Sequence, residues 1–174
     1  VSASGSISGF SLLYSTGTIN LTGSQNNINT VSAEKDVTLS GSGAYTTVNS
    51  LTNVTMSGGV SAVSVNTNGT TTLNSSAKVT TVKSIGNVAL TGGGAQAASV
   101  YTDGNVTMNN GSITSLLMAQ GNLTEASNGS VANGQIGGTL TKPSWNNNIH
   151  VTVVNGLQVP ITPLTATTIQ STVI

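Results

Sequence analysis

A single phrase recurs along this chain, and its period limits what the chain can fold into. It reads Gly69-Thr70-Thr71-Thr72-Leu73, Gly86-Asn87-Val88-Ala89-Leu90, Gly104-Asn105-Val106-Thr107-Met108 and Gly121-Asn122-Leu123-Thr124. The third residues, Thr71, Val88, Val106 and Leu123, are separated by 17, 18 and 17 positions. Variants come before, at Gly17-Thr18-Ile19-Asn20-Leu21, Asp36-Val37-Thr38-Leu39 and Asn53-Val54-Thr55-Met56, and after, at Gly138-Thr139-Leu140-Thr141. A period of this length is the mark of a repeat architecture. Such a unit is too short to enclose a core of its own. It suffices for one coil of a parallel β-solenoid, two or three short strands between corners, whose neighbours supply backbone partners and apolar interior. About eight coils at ~4.8 Å each predict a rod roughly 40 Å long. A right-handed sense is expected, because parallel crossovers overwhelmingly take that hand.

Within each coil the pattern names the inside. In Asn53-Val54-Thr55-Met56, alternation puts Val54 and Met56 on one face and Asn53 and Thr55 on the other. A glycine break follows, at Gly23, Gly41, Gly58-Gly59, Gly92-Gly93-Gly94, Gly111 and Gly129, where a sharp corner needs a residue without a Cβ. A second apolar cluster completes the coil: Ile28 and Val31, Val48 and Leu51, Val63 and Val65, Val79 and Val82, Ile113 and Leu116. The repeats run from residue 1 to Thr141, and residues 142–174 form a separate C-terminal segment.

That segment opens at Lys142-Pro143 and holds the single Trp145 and the single His150. Asn155-Gly156, between Val151-Thr152-Val153-Val154 and Leu157-Gln158-Val159-Pro160-Ile161, is a type I′ hairpin signal. Pro160 and Pro163 confine the second arm to an edge or leave it extended. The uncharged, Thr-rich tail from Leu164 can fold back along its own rod or add as a strand to a neighbour. Trp145 is expected to plug the end of the core.

Composition narrows the chemistry. Only 5% of residues are charged, against roughly 25% in ordinary soluble domains. The basic residues are four lysines, and no arginine is present, which argues against nucleic acid as a partner. Without cysteine, thiolate and disulfide chemistry are excluded. No apolar run approaches the ~20 residues that cross a bilayer. The start at Val1, without a signal-peptide pattern, reads as a segment processed from an exported precursor.

The repeated Gly-Asn-Val-Thr-Leu/Met phrase resembles bacterial extracellular parallel β-solenoids. These are the filamentous-haemagglutinin-like adhesin stems and the pilus-associated exported proteins with arrays of the type Asn74-Ser75-Ser76-Ala77-Lys78-Val79. Bactofilins are similar in coil length but richer in charge. The resemblance covers residues 1–141 and implies a non-catalytic stalk, fibre subunit or adhesin at the cell surface.

A glycan-cleaving enzyme on a β-helix needs two carboxyl groups close together. The acids are Glu34, Asp36, Asp103 and Glu125. Asp36 and Asp103 are about four coils apart, close to 20 Å. Glu34 and Asp36 flank Lys35 at a corner and read as a solvated turn. No catalytic residue, cofactor or metal is assigned; His150 lacks the second ligand a metal site requires. The strongest surface pattern is a ladder of Thr38, Thr55, Thr72, Thr107, Thr124 and Thr141, with Asn53, Asn87, Asn105 and Asn122 two residues earlier in their coils. Exposed strands favour Thr on packing grounds alone, and stacked Asn side chains hydrogen-bond along the axis.

The expected role is therefore a structural subunit of an extracellular bacterial fibre or adhesin stalk, assembling with copies of itself head to tail by strand stacking and tail exchange. Candidate contact residues are Phe10, Leu12, Leu13 and Tyr14 in the first coil, and Trp145, Val151, Val153, Leu157, Val159, Ile161 and Leu164 in the C-terminal segment. The alternative is a module binding ice or surface polysaccharide through the Thr/Asn ladder.

Overall fold

A computed structural model describes residues 1–170, the side chains of 25 and 26 excepted. The expected solenoid is present, with two strands per coil. Coils one to three hold β1 (Ser2–Ala3) and β2 (Ser8–Ser15), β3 (Ile19–Leu21) and β4 (Ser24–Ala33), β5 (Val37–Leu39) and β6 (Ser42–Ser50). Coils four to six hold β7 (Val54–Met56) and β8 (Gly59–Thr67), β9 (Thr71–Asn74) and β10 (Lys78–Ser84), β11 (Val88–Thr91) and β12 (Gln96–Thr102). Coils seven to nine hold β13 (Val106–Asn109) and β14 (Ser112–Ala119), β15 (Leu123–Glu125) and β16 (Ser130–Ile136), β17 (Leu140–Thr141) and β18 (Ile149–Val153). Odd-numbered strands form one nine-stranded sheet and even-numbered strands another, each stacked in chain order. All pairs between named strands are parallel, as a chain winding one way around a single core requires.

The short sheet realises the phrase that recurs in the sequence. Each three-residue strand turns its outer two residues inward and the middle one outward, as in Val37-Thr38-Leu39 and Val54-Thr55-Met56. Ile19, Val37, Val54, Thr71, Val88, Val106, Leu123 and Leu140 stack as one interior column. Leu21, Leu39, Met56, Leu73, Leu90 and Met108 stack as a second. From the long sheet come Ile28, Val31, Val48, Val65, Val82, Val100 and Leu117, all buried. The interior is thus continuous along the rod, each coil closing on its neighbours.

The long sheet differs from its expected pattern in the middle of the strand. Val63, assigned to the interior cluster, is 55% exposed, while Val60, Ala62 and Val65 face inward. Leu51 and Leu116 are only half-buried, and Leu117 takes the inward place beside Leu116. Register shifts between Ala97 and Ser99, Ile113 and Leu117, and Val131 and Gly134 mark a bulge that breaks strict alternation.

Backbone chemistry fixes the corner after five consecutive short strands, β5 to β13. Gly41, Gly58 and Gly92 have φ of 97°, 77° and 109°, and Ser75 and Asn110 hold the same left-handed place in their coils with φ of 57° and 59°. Glycine takes this conformation freely, whereas a side chain there costs about 1 kcal/mol.

The C-terminal segment departs from expectation in three ways. β18 is the ninth coil of the solenoid, parallel to β16, so the rod continues past Thr141 to Val153. Asn155-Gly156 does form a turn, but residues 157–161 are not a strand and no hairpin forms. Pro160 cannot donate to a ladder, and the chain instead folds back along its own rod to the short helix α1 (Ala166–Gln170). The end of the tail, residues 171–174, lies outside the described residues. Trp145 does not plug the core: it is 60% exposed, and Asn146 beside it is the buried residue.

Candidate functional site: the ladder face, the corners and the strap

The Thr residues picked out by the repeat stand in one column. Register runs from Asn20 through Thr38, Thr55, Thr72, Ala89, Thr107 and Thr124 to Thr141, pair by pair. All face outward on the short sheet; Thr107, Thr124 and Thr141 are exposed and the first three half-buried. With one outward residue per three-residue strand, the face is narrow, and Ala89 interrupts it.

The Asn column has a backbone role. Asn53 Oδ1 accepts from the Thr70 N–H at 2.9 Å, Asn87 Oδ1 from Asn105, Asn105 Oδ1 from Asn122 and Asn122 Oδ1 from Thr139, each at 2.8 Å. These corner N–H groups point along the rod axis where no strand carbonyl awaits them, and the side chain of the preceding coil satisfies them. Asp36 does the same in its coil, accepting from the Asn53 N–H at 3.1 Å, the Asn53 amide at 3.0 Å and the Thr52 hydroxyl at 2.7 Å. The Thr52 hydroxyl bond, then the Asn53 bonds, hold the Asp36 carboxyl below its ordinary value against partial desolvation, with Lys35 assisting. Asp36 is therefore a structural carboxylate at a corner.

A buried column of hydroxyls, which the repeat phrase does not reveal, closes the same corner from the inside. Ser50, Thr67, Ser84 and Thr102 are in register and buried. Ser50 donates to the Lys35 carbonyl at 2.8 Å and accepts from the Thr52 N–H at 3.0 Å. Thr67 bonds the Thr52 carbonyl and the Gly69 N–H, and Thr102 the Gly86 carbonyl and the Gly104 N–H. Ser84 and Thr71 share a 2.6 Å hydroxyl bond. The available signal was the hydroxyl three residues before the Asn or Thr that opens the next phrase, as in Ser50 before Asn53, Thr67 before Thr70 and Thr102 before Asn105.

The acids do not assemble. Glu34 bonds the Tyr14 hydroxyl, raising the Tyr14 pKa, with desolvation adding to the rise and Gln170 opposing it. Glu125 is 2% exposed and fills an interior position above Met108. Its Oε1 accepts from the Ser127 and Gly129 N–H groups at 2.7 and 2.8 Å, and its Oε2 from the Asn146 amide at 2.9 Å. Each of these partners is neutral. Among the described residues no cluster of three His, Asp or Glu could hold a metal ion, and His150 is exposed on β18. A shallow groove of about 400 Å³ crosses the outer long sheet, lined by Ala44, Val63, Lys78, Thr80, Gln96 and Ala98.

The candidate contact residues divide into two groups. Phe10, Trp145 and Val153 are exposed, and Leu12, Leu13, Tyr14 and Val151 half-buried, at the two ends of the rod. Leu157 and Val159 are instead buried, and Ile161 and Leu164 half-buried, because this strap lies on its own rod. Leu164 and Ile161 border a recess with Asn66, Thr67, Lys83 and Ile85.

The class is that of a two-sheet parallel β-solenoid. Compared with protein-family models, curated proteins and solved structures, the chain matches none. No helix among the described residues is long and apolar enough to cross a membrane.

Proposed function

We propose that this chain is a structural subunit of an extracellular bacterial fibre or adhesin stalk, and that rods join end to end by continuing their sheets. The observation that supports this reading is the continuous parallel stacking of both sheets, in chain order, from coil one to coil nine. Extended by one step, the same register sets Thr141 of one rod on Ser2 of the next in the short sheet. In the long sheet it sets Ile149 on Phe10, Val151 on Leu13, Thr152 on Tyr14 and Val153 on Ser15. Two of these pairs, Ile149 on Phe10 and Val151 on Leu13, are apolar on apolar, and the exposed Phe10 and Val153 become covered. A contact of this heterologous kind propagates as an open filament. Electron microscopy and fibre diffraction of the purified chain at neutral pH test it. Filaments with a ~4.8 Å axial repeat support the reading; dispersed short rods at all concentrations overturn it.

A second reading rests on the in-register Thr column. A column of outward hydroxyls in register, though interrupted at Ala89, is a surface that ice or a surface polysaccharide can meet. Thermal hysteresis or glycan binding that disappears in Thr107→Leu and Thr124→Leu variants supports it, and retention of binding in both variants excludes the ladder.

A further inference from the structure

The strap from Leu157 to Gln170 has a polarity, and that polarity decides what its exchange can build. It leaves coil nine at the Asn155-Gly156 turn, where Gly156 has φ of 71° and open space around it. It then runs back down one corner of the rod. That corner is a column in which the N–H groups of Glu34, Leu51, Asn68, Ile85, Asp103, Gln120, Gly137 and Val154 each bond the carbonyl of the coil before. Pro160 and Ile161 lie by Ile85 and Lys83 of coil five. Leu164 reaches coil four, its N–H bonding Asn68 Oδ1 at 2.7 Å and its carbonyl the Asn68 amide at 2.8 Å. Ile169 is buried, α1 packs against β4 of coil two, and Gln170 Nε2 donates to the Tyr14 hydroxyl and Glu34 Oε1, both at 3.0 Å.

The seats therefore occur in one order only, from coil nine to coil one. A strap carried forward over a head-to-tail joint enters the next rod at its coil one and meets the seats reversed, with Gln170 far from Tyr14 and Leu164 far from Asn68. A strap carried to a rod whose coil nine adjoins the donor's coil nine meets them in the correct order. We propose that the strap is exchanged between two copies of this chain, with the seats on the corner column as its receptor, and that exchange yields only a closed two-fold dimer with the two coil-nine ends adjoining. Every strap contact made within one copy is remade in the other, so the turn at Asn155-Gly156 sets the balance, as in other segment exchanges. Rods that stack as filaments under the reading above keep their straps on themselves. The dimer does not depend on that reading.

The absence of native cysteine permits a direct test. Asn68→Cys and Leu164→Cys variants are unfolded together, refolded as a mixture and oxidised. A disulfide-linked pair of one copy of each is expected, and deleting Asn155 and Gly156, which prevents the fold-back, is expected to raise the linked fraction severalfold. The Asn68→Cys/Leu164→Cys double variant, closing its disulfide within one chain, verifies the seat. Linked pairs missing from both the mixture and the turn-deleted form overturn exchange. Linked trimers and longer ladders from the turn-deleted double variant overturn the polarity argument. Linked dimers without filaments in the microscope sink the fibre reading alone; filaments whose straps link only within chains, with no linked dimer in the turn-deleted form, sink the exchange alone.

Discussion

Val151 occupies the space that Gly134 leaves in the coil before it. The two residues are register partners, and a Cβ built on Gly134 would lie 3.0 Å from Val151 Cγ1 and 2.9 Å from Leu117 Cβ. The Leu13-to-Leu117 column is otherwise filled by Leu and Val, so the gap at coil eight lets β18 seat as the ninth coil. Gly134→Ala is expected to cost about 1–3 kcal/mol by overpacking, and Gly134→Ala/Val151→Ala to recover part of it. Urea unfolding of the two variants beside the parent measures the difference; equal losses in both would dismiss the pairing.

A second prediction concerns the corners, where glycine stacks on glycine. A Cβ on Gly86 would lie 2.7 Å from both the carbonyl carbon and oxygen of Gly69, whereas one on Gly93 meets nothing within 4 Å. Backbone cannot yield as a flexible side chain can. Gly86→Ala is expected to lower the unfolding free energy by more than about 2 kcal/mol, and Gly93→Ala to be neutral or stabilising by up to about 1 kcal/mol. Thermal melts of the pair decide it, and an unaffected Gly86→Ala would contradict the stacking argument.

The buried Glu125 yields a third. Removing its carboxylate strands the N–H groups of Ser127 and Gly129 and the Asn146 amide. Glu125→Ala should cost about 3 kcal/mol, in the range for buried donors left unpaired, and Glu125→Gln, which keeps an acceptor oxygen, clearly less. Hydrogen exchange at the Ser127 and Gly129 amides provides a local readout: protection should fall in Glu125→Ala and largely persist in Glu125→Gln.

Asp36 gives the pH-dependent case. Its carboxyl is held below the ordinary value by the Thr52 and Asn53 bonds. A depressed folded pKa contributes stability that is present above the unfolded value of about 3.9 and is lost as pH falls through the folded one. Because the site is exposed, the contribution is about 0.5 kcal/mol after screening. Asp36→Ala should thus lose more relative to the parent at pH 7 than at pH 2, as read by denaturant midpoints at the two values. A gap that widens on acidification would reverse the assignment.

The short sheet could be read from sequence residue by residue, because three-residue strands with strict alternation leave no freedom in which side chain points inward. The long strands were harder. The inward residues change phase within a strand, Ala62 and Val65 standing three apart around Val63 and a register shift falling at Thr114–Leu116, and no residue in the sequence announces it. The C-terminal segment shows a local signal outweighed by its surroundings. Asn155-Gly156 makes a turn, with positive φ at Gly156 but not at Asn155 and so not of type I′, and Pro160 and the waiting corner at Ile85 and Asn68 turn the expected hairpin arm into a strap. Glu125 was legible in principle. It stands two residues after Leu123, the inward place that Met108 holds after Val106, so an acid there had to be buried and its oxygens satisfied.

The difference between the two sheets bears on how such a chain lengthens over evolutionary time. One residue inserted into Val54-Thr55-Met56 would turn an interior side chain to solvent and displace every column beyond it. The bulged strands on the opposite side already absorb single-residue slips, between Ala97 and Ser99 and again between Val131 and Gly134. Small insertions and deletions should therefore accumulate on the bulged side alone. Gains and losses of whole coils by duplication should leave both sides in phase, so that relatives differ in length by integral steps, as a ladder differs by rungs.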